Sequence, residues 1–324
     1  MLESGDIITL SAGAWRLHAP LAASSYGVLW QAAPLAGGAP AVVKLVNRDQ
    51  MALAAPAHRA RWIDAAANEI AFLSALQPWD RRHTVRLLDS GTHDGLPACA
   101  LERLGTDLAR HLAAVHARGA TVGPAQALDW LAQVNQALAK VHGYGWRYLD
   151  LKPSNLLLDL RDHTLKLADF GTIRPLVDRA PHPYAGTANW QAPEQFFALA
   201  DGGHRTDARS DYFALGALLY FLVTGAVLRY CAACGAAFRA HGTAGSGRLA
   251  GHHGGRPPAV LGADEAGLFA RAMHADDAGA LALLRALLQP DPERRPRHAL
   301  EISRLIERAS AGLPGLHGGL RSAA

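Results

Sequence analysis

The chain has 324 residues, half of them hydrophobic and 19% charged, so it can bury the core of one large domain or of two modest ones. Its net charge is only +4 and its basic residues form no run of five or more, which excludes a basic arm for nucleic acid. The 3 cysteines are too few for a disulfide framework and indicate a reducing compartment.

The N-terminus MLESGDIITL has no basic region followed by an apolar core, so it is not expected to be a signal peptide, and residues 1–14 are interpreted as an N-terminal extension. From about residue 15 to 102 the pattern predicts short strands in WRLHAPL, GVLWQAA and PAVVKLV. A further pair of strands is predicted around a His-Asp-Gly turn in TVRLLDSGTHDGLPACALE. Between them, an amphipathic helix over 57–76 is indicated by apolar residues at three-and-four spacing: Ile63, Ile70, Leu73 and Leu76.

From about residue 108 to 310, helical segments dominate, and a β-rich part followed by a helical part predicts an α+β fold. These segments are AQALDWLAQVNQALAKVHGYG, RSDYFALGALLYFLVTG, EAGLFARAM, ALALLRALLQ and HALEISRLIERA. The longest apolar run, 213–228, is too short for a comfortable membrane span. We therefore expect a soluble, cytoplasmic protein without membrane insertion. The Gly-rich tail, 311–324, is expected to be flexible.

The stretch DLKPSN has the residue types that phosphoryl transfer requires. Asp150 can orient a hydroxyl and accept its proton, Lys152 can neutralise a phosphate, and Asn155 can bind a metal. Alone, the stretch could also be an ordinary polar turn. Downstream, Asp169 in LADFGT is a natural ligand for Mg²⁺, and Gly171 allows a sharp turn after it. At this distance from each other in the chain, DLKPSN and LADFGT indicate a phosphoryl-transfer site more strongly than either motif does alone.

Three further residues are expected to fix the geometry of this region. Glu194, in APEQ, and Arg295, in ERRPR, are expected to form a buried ion pair. Asp211, at the start of the longest apolar helix, is expected to bond to the backbone near Asp150.

In content and order, AVVKLV, LDLKPSN, DFG and APE resemble the motifs of eukaryotic-type Ser/Thr protein kinases, over about residues 15–310. The bias toward Ala, Arg and Gly favours a bacterial member. The resemblance implies a two-lobed protein kinase-like fold with ATP between the lobes. The small antiparallel N-lobe with one helix would cover about 15–102, the hinge about 102–107, and the helical C-lobe about 108–310.

The resemblance also implies roles for single residues. Lys44 would pair with phosphates of ATP, and Glu69 would hold Lys44 in an ion pair. Asp150 would be the base and Lys152 would steady the transferred phosphate. Asn155 and Asp169 would hold Mg²⁺, and Thr187 would brace the base, as in kinases that act on Ser and Thr. The other nucleotide contacts implied are Gly27, Ser24 and Ser25 at the phosphates, Leu101, Glu102 and Leu104 at adenine, and Asp107 at ribose.

Two departures from the family pattern concern the site itself. In the phosphate-binding loop, LAASSYGVLW, only Gly27 remains, with Ala22 and Ser24 at the other glycine positions. We expect a weakened grip on nucleotide, because glycine allows the closest backbone approach to phosphate. Before Asp150, Tyr148 and Leu149 replace the family's His and Arg.

Because Leu149 has no charge, it cannot pair with a phosphorylated activation loop. The segment from residue 172 to 191 also has few hydroxyls, at Thr172, Tyr184 and Thr187. We therefore expect that the protein needs no phosphorylation of this loop.

An insert over about 229–258 contains a C-x-x-C motif, Cys231 and Cys234. With His241, His252 and His253 it could form a structural Zn²⁺ site, although the histidine spacing is atypical. The alternative is a flexible Gly/His-rich loop with two incidental thiols. The isolated His83, His111 and His142 are interpreted as satisfied or solvated imidazoles.

The sequence thus predicts an enzyme that transfers phosphate from ATP, with Mg²⁺, to Ser and Thr hydroxyls of protein substrates. The alternative is a weak or inactive pseudokinase scaffold that regulates a partner by binding, which the Gly-poor loop favours. A small-molecule phosphotransferase is a third option. No nucleic-acid partner is expected, and the oligomeric state is left open.

Overall fold

The computed structural model describes residues 2–200, 202–273 and 279–313. The chain divides into two compact units, which we call the N-terminal unit (Met1–Gly105 with Lys166–Ile173) and the C-terminal unit (Thr106–Leu165 with Arg174–Ala324). The second stretch of the N-terminal unit carries the DFG motif. Residues 314–324 of the predicted tail lie outside the described residues.

The N-terminal unit is built on a six-stranded antiparallel sheet with strand order β1-β2-β3-β4-β6-β5. Its strands are β1 (Ile7–Thr9), β2 (Ala14–Ala23), β3 (Gly27–Pro34), β4 (Ala41–Val46), β5 (Leu87–His93) and β6 (Leu96–Glu102). The predicted strands are confirmed. Strand β1 was not predicted and lies within residues 1–14, the segment interpreted as an N-terminal extension. Ile8 of β1 is buried in the core of the sheet.

Strand β4 shows how alternation positions a functional side chain. Ala41, Val43 and Leu45 are buried in one core cluster with residues of β1, β2, β3 and β6. Because successive side chains of a strand point to opposite faces, Lys44 lies on the other face from Val43 and Leu45. Burial of the apolar face of β4 thus determines the face of the sheet on which the side chain of Lys44 lies.

The β5–β6 hairpin closes at Asp94 and Gly95, with φ of 51° and 76°. Positive φ at both central residues is typical of a type I′ turn, in which Asp-Gly is a favoured pair. The predicted hairpin around His-Asp-Gly is confirmed.

Two helices complete the N-terminal unit, α1 (Arg48–Leu53) and α2 (Ala60–Ala75). Helix α2 begins three residues later than predicted, after a 3₁₀ turn at Pro56–His58. Its buried face also differs from the expectation, since Ile63 is 40% exposed. The residues buried along α2 are Ala65, Glu69, Phe72 and Leu73.

The C-terminal unit is mainly helical. Its longer helices are α3 (Leu108–Ala117), α4 (Pro124–Gly143), α6 (Ala208–Thr224), α7 (Arg229–His241), α8 (Gly245–His252), α9 (Ala263–Ala272), α10 (Gly279–Leu287) and α11 (Ala299–Ala311). A single turn, α5 (Pro193–Phe196), precedes α6. Helix α6 is buried over most of its length and ends at Gly225 with a φ of 70°, a left-handed cap that glycine adopts without strain.

Short strands frame the loops of the C-terminal unit. They are β7 (Thr106–Asp107), β8 (Trp146–Arg147), β9 (Leu156–Asp159), β10 (Thr164–Leu167, which runs into the second stretch of the N-terminal unit) and β11 (Arg174–Pro175). Strand β9 pairs with β7, and β8 pairs with β11. These pairings hold both ends of the DLKPSN loop.

Within the described residues, no single helix is long and apolar enough to cross a membrane. Helix α6 and the segment 229–252 reach that length and composition only as a pair bent by 110°.

Candidate functional site

Within the N-terminal unit, Lys44 binds two carboxylates. Its Nζ lies 2.6 Å from Oε2 of Glu69 and 2.7 Å from Oδ1 of Asp169. Although burial favours the neutral amine, the charges of Asp169 and Glu69 raise the pKa of Lys44 above its ordinary value. Lys44 is therefore a permanent cation, and the expected Lys44–Glu69 ion pair is present.

Contacts to the DFG segment keep this arrangement in place. Glu69 is 1% exposed, and its Oε1 accepts the backbone N–H of Phe170 at 3.1 Å. The ring of Phe170 is buried against Phe72 of α2, with centroids 4.7 Å apart. Asp169 has a φ of 57°, a left-handed conformation that aspartate tolerates better than most residues. Its side chain is 44% exposed.

The loop that is expected to bind phosphate is a tight turn between β2 and β3. The hydroxyl of Ser24 accepts the N–H of Gly27 at 3.1 Å and donates to the Gly27 carbonyl at 3.3 Å. A Cβ at Gly27 would lie 3.1 Å from Cε of Lys44, so the remaining glycine allows the loop to lie close to that lysine. Neighbouring Ser25 accepts a hydrogen bond from Trp62 of α2.

The residues expected at adenine lie at the end of β6 and beyond it. Leu101 is buried, and the Glu102 carboxylate binds Lys166 at 2.6 Å and the N–H of Arg86 at 2.8 Å. Leu104 follows the strand and is half-buried. In the C-terminal unit, the side chain of Asp107 caps α3 by accepting the N–H of Arg110 at 2.9 Å, a contact that the sequence analysis did not predict.

In the C-terminal unit, the DLKPSN loop converges on the carboxylate of Asp150. Thr187 donates to its Oδ1 at 2.7 Å, and Lys152 donates to its Oδ2 at 2.7 Å. Lys152 also donates to Thr187 at 2.8 Å, which closes a ring of three side chains. The amide of Asn155 adds a bond of 3.1 Å to the same Oδ2. The predicted brace by Thr187 is confirmed.

Asp211, at the start of α6, organises the backbone ahead of Asp150. Its Oδ2 accepts the N–H of Tyr148 at 2.8 Å, and its Oδ1 accepts the N–H of Leu149 at 2.7 Å. His142 lies 2.8 Å from the same carboxylate and 3.2 Å from the hydroxyl of Tyr212. The expected role of Asp211 is confirmed, and His142 is a satisfied imidazole as interpreted, although its two partners were not predicted.

Two glutamines that were not predicted from the sequence fix this region, Gln195 at the backbone before Asp150 and Gln191 in the segment that follows DFG. Gln195 donates to the carbonyl of Leu149 at 3.0 Å, and Gln191 donates to the carbonyl of Ala185 at 2.5 Å. Both are buried. A glutamine beside the APE motif was the available signal, but nothing local indicates its partner.

The predicted Glu194–Arg295 pair is confirmed and is bidentate. Nη1 of Arg295 lies 2.7 Å from Oε1 of Glu194, and Nη2 lies 2.9 Å from Oε2. Arg295 also donates to the carbonyls of Gln289, Arg209 and Pro290. These hydrogen bonds and the ion pair compensate for the free-energy cost of burying the guanidinium of Arg295.

Comparison with known proteins agrees with this geometry. The family model described as protein kinase domain matches residues 21–304, most of the chain. The chain belongs to the protein kinase family. The recognition made from the sequence motifs is therefore confirmed, as is the α+β protein kinase fold.

The curated relatives of this chain include Ser/Thr protein kinases and ribosomal S6 kinases. It is 34% identical over 116 residues to Serine/threonine-protein kinase PknB of Mycolicibacterium smegmatis, which covers 34% of this chain and 17% of that protein. It is 46% identical over 92 residues to Serine/threonine-protein kinase RUNKEL of Arabidopsis thaliana, which covers 28% of this chain and 6% of that protein. The chain therefore spans only a small part of the curated relatives that it matches.

Among solved structures, the kinase domain of Mycobacterium tuberculosis PknI is similar in fold. The domain itself has a TM-score of 0.63 and 19% identity, and the match covers 95% of this chain and 100% of that domain. A double mutant of the same domain gives a TM-score of 0.63 with 20% identity, and that match covers 96% of this chain and 100% of that domain.

The kinase's activation segment, which follows DFG, is held by direct contacts within the C-terminal unit. Buried Arg147 donates to the carbonyls of Pro175 at 3.0 Å and Asp178 at 2.8 Å. Further along, His182 lies 2.8 Å from the hydroxyl of Thr206. Burial lowers the pKa of His182 to about 4, so the imidazole is neutral near pH 7.

The expected zinc site in the insert is not supported. Cys231 and Cys234 lie on α7 and are fully buried, whereas His241, His252 and His253 are exposed. Among the described residues, no group of three or more His, Cys, Asp or Glu could hold a metal. The alternative of a flexible loop is also wrong, because 229–241 and 245–252 are helical.

The insert helix α7 instead packs on the activation segment. Phe238 stacks on Tyr184 with ring centroids 4.8 Å apart. A Cβ at Gly235 would lie 1.9 Å from Oδ1 of Asn189, so glycine permits a close approach there. Gly235, one of the glycines that indicated a loop, thus serves helix packing.

Proposed function

We propose that this protein is an ATP-dependent kinase that phosphorylates Ser and Thr hydroxyls of protein substrates. The observation that carries the proposal is the closed ring of Asp150, Lys152 and Thr187. It presents an ionised carboxylate with a cation beside it, the two groups that act on the hydroxyl and on the transferred phosphate.

In this proposal Asp150 orients the substrate hydroxyl and accepts its proton. Lys152 supplies positive charge for the phosphate that is transferred, and Thr187 fixes the distance between the two side chains. Because all three contacts exist in the protein itself, little reorganisation is required before the reaction.

The chemistry of the remaining residues fits ATP and Mg²⁺. Lys44 is a stable cation suited to phosphate oxygens. Asp169 offers a half-exposed carboxylate, an oxygen ligand that Mg²⁺ prefers. In Asn155 the N–H₂ group donates to Asp150, which leaves its amide oxygen as the atom able to bind a metal. Magnesium would neutralise phosphate charge when bound.

One observation favours the second candidate, a pseudokinase scaffold. The N–H of Gly27, a donor expected to meet phosphate, is already bonded to Ser24. If that bond persisted, nucleotide binding would be weak. The hydrogen bonds that Lys152, Thr187 and Asn155 make around Asp150, together with the ion pairs of Lys44, favour the enzyme.

Transfer of radiolabelled γ-phosphate from ATP, with Mg²⁺, to a generic basic protein tests the proposal. Wild type should transfer phosphate, and Asp150→Asn and Asp169→Asn should each abolish transfer. Asp64→Asn, an exposed aspartate on α2, is the matched control and should behave as wild type. Folded wild-type protein that transfers nothing across several metals and substrates would favour the scaffold.

A further inference from the structure

The turn that connects β2 to β3 is held by hydrogen bonds from residues outside it to its backbone carbonyls. Three consecutive carbonyls accept hydrogen bonds: Ser24 from the Asn47 side chain at 2.7 Å, Ser25 from Trp62 at 2.6 Å, and Tyr26 from the N–H of Asn47 at 3.0 Å. The turn is therefore tied to both α2 and the end of β4.

Ring packing strengthens the connection to α2. The rings of Tyr26 and Trp62 lie 5.1 Å apart. Tyr26 also lines a cavity of about 20 Å³ together with Lys44 and Glu69. The tip of the turn thus lies beside the ion pair that is expected to receive the phosphates.

The N–H of Gly27 is a backbone donor of the turn, at a residue that lies close to Lys44. Gly27 is close enough to Lys44 that an added Cβ would lie 3.1 Å from its Cε. Backbone N–H groups in glycine turns bind phosphate because they can approach its oxygens closely. Here that N–H is bonded to the hydroxyl of Ser24 at 3.1 Å.

We propose that Ser24 limits the affinity of this protein for ATP, because its hydroxyl competes with a nucleotide phosphate for the N–H of Gly27. The inference rests on the proposed ATP-binding function. It reverses the expectation that Ser24 itself is a phosphate contact. With glycine or alanine at position 24, no side-chain hydroxyl would accept a hydrogen bond from the N–H of Gly27.

The affinity should depend on Ser24 only for ligands that carry phosphates. Equilibrium dissociation constants for ATP with Mg²⁺ and for adenosine are measured for wild type, Ser24→Ala and Ser24→Gly. Ser74→Ala, an exposed serine on α2 outside the turn, is the matched control. Because adenosine has no phosphate, it reports any general change of the nucleotide site.

We expect Ser24→Ala to bind ATP about twofold to tenfold more tightly than wild type, the range of one neutral hydrogen bond. Its affinity for adenosine should not change, and Ser24→Gly should show at least the same gain for ATP. An ATP affinity that is unchanged or weaker in Ser24→Ala would overturn the proposal, and a weaker one would make Ser24 a phosphate ligand.

The two proposals can fail separately. Transfer by wild type that Asp150→Asn abolishes, with an unchanged ratio of ATP to adenosine affinity in Ser24→Ala, overturns the role of Ser24 alone. A raised ratio without any transfer supports the role of Ser24 and overturns the enzymatic function. Failure of every variant to bind ATP overturns both.

Discussion

The carboxylate of Asp211 accepts the backbone N–H of Leu149 at 2.7 Å and thereby holds a leucine in a left-handed conformation, with a φ of 68°. That conformation costs about 1–2 kcal/mol for a residue with a Cβ. It directs the chain into Asp150, so backbone strain at Leu149 is stabilised by a buried acidic side chain 62 residues away.

Asp211→Asn should destabilise the protein by about 1–3 kcal/mol, because an amide offers one acceptor oxygen where the carboxylate offers two. It should also lower kcat, since the backbone before Asp150 loses a support. Urea unfolding and the phosphate-transfer assay measure the two effects. Asp129→Asn, an exposed aspartate on α4, serves as the control. Wild-type stability in Asp211→Asn would contradict the supporting role.

Thr187→Val should lower kcat by about tenfold to a hundredfold, because it removes the hydroxyl that donates to Asp150, and one hydrogen bond to a charged group contributes about 1.5–3 kcal/mol. Thr187→Ser keeps the hydroxyl and should retain most activity. Steady-state kinetics at varied ATP and protein substrate measure this effect. Equal losses in the two variants would show that the methyl group, and not the hydroxyl, is required.

Stability should fall in mild acid because of His182. Burial lowers its native pKa to about 4 from an ordinary value of 6.5, and the positive charges of Arg174 and Arg147 act in the same direction. Between these pH values the unfolded chain binds more protons than the native protein, so the free energy of unfolding decreases as the pH falls from 6.5 toward 4.

Substitution of this histidine should weaken that dependence. His182→Gln, which can still accept from Thr206, should flatten the stability profile between pH 6.5 and 4.5 relative to wild type. Urea unfolding at several pH values provides the measurement. Parallel profiles for the two proteins would assign the acid sensitivity to other groups.

Activity should not require phosphorylation of the activation segment. Arg147 binds the carbonyls of Pro175 and Asp178, which are present without any modification. Protein treated with a phosphatase, and shown by intact mass to be unmodified, should transfer phosphate at its original initial rate. Arg147→Met should reduce that rate. A large increase in turnover on phosphorylation of Thr172 or Tyr184 would contradict the prediction.

Gly235→Ala should destabilise the C-terminal unit, because the new Cβ would overlap the side chain of Asn189. Overpacking of this kind costs about 1–3 kcal/mol. Gly247→Ala, on α8 with no atom near its Cβ position, is the matched control. Thermal unfolding compares the variants. If both midpoints were the same, α7 would not be packed closely on residue 189.

Much of the site follows from local sequence, because its residues occur in short motifs with fixed spacing. Asp150, Lys152 and Asn155 lie in one loop, and Lys44 is the single charged residue of a short apolar run that predicts a strand. The Asp94-Gly95 turn is likewise set by the conformations that its two residues prefer.

Other contacts could not be predicted, because they join neutral or isolated residues that are far apart in the chain. The bonds of His142 to Asp211 and of Gln195 to Leu149 span 69 and 46 residues. Helix α2 shows a different difficulty. The buried face of α2 carries Glu69, which can be buried because it pairs with Lys44 on β4. Apolar spacing alone does not include a glutamate in the buried face, and it therefore placed the exposed Ile63 there.

The insert was misinterpreted because Gly, His and Cys have several structural uses. C-x-x-C indicates a metal site only if further ligands are close, and spacing along the chain does not determine that. In this protein Gly235 permits helix packing and both thiols fill buried space.

The assignment of Lys166–Ile173 to the N-terminal unit has a consequence for synthesis on the ribosome. Lys44 and Asp169 are 125 residues apart, and Phe170 supplies a ring to the buried face of α2. A nascent chain that ends at residue 105 therefore lacks the Phe170 N–H that Glu69 accepts and the Phe170 ring that packs on Phe72. The N-terminal unit can complete its fold only after translation has passed residue 173.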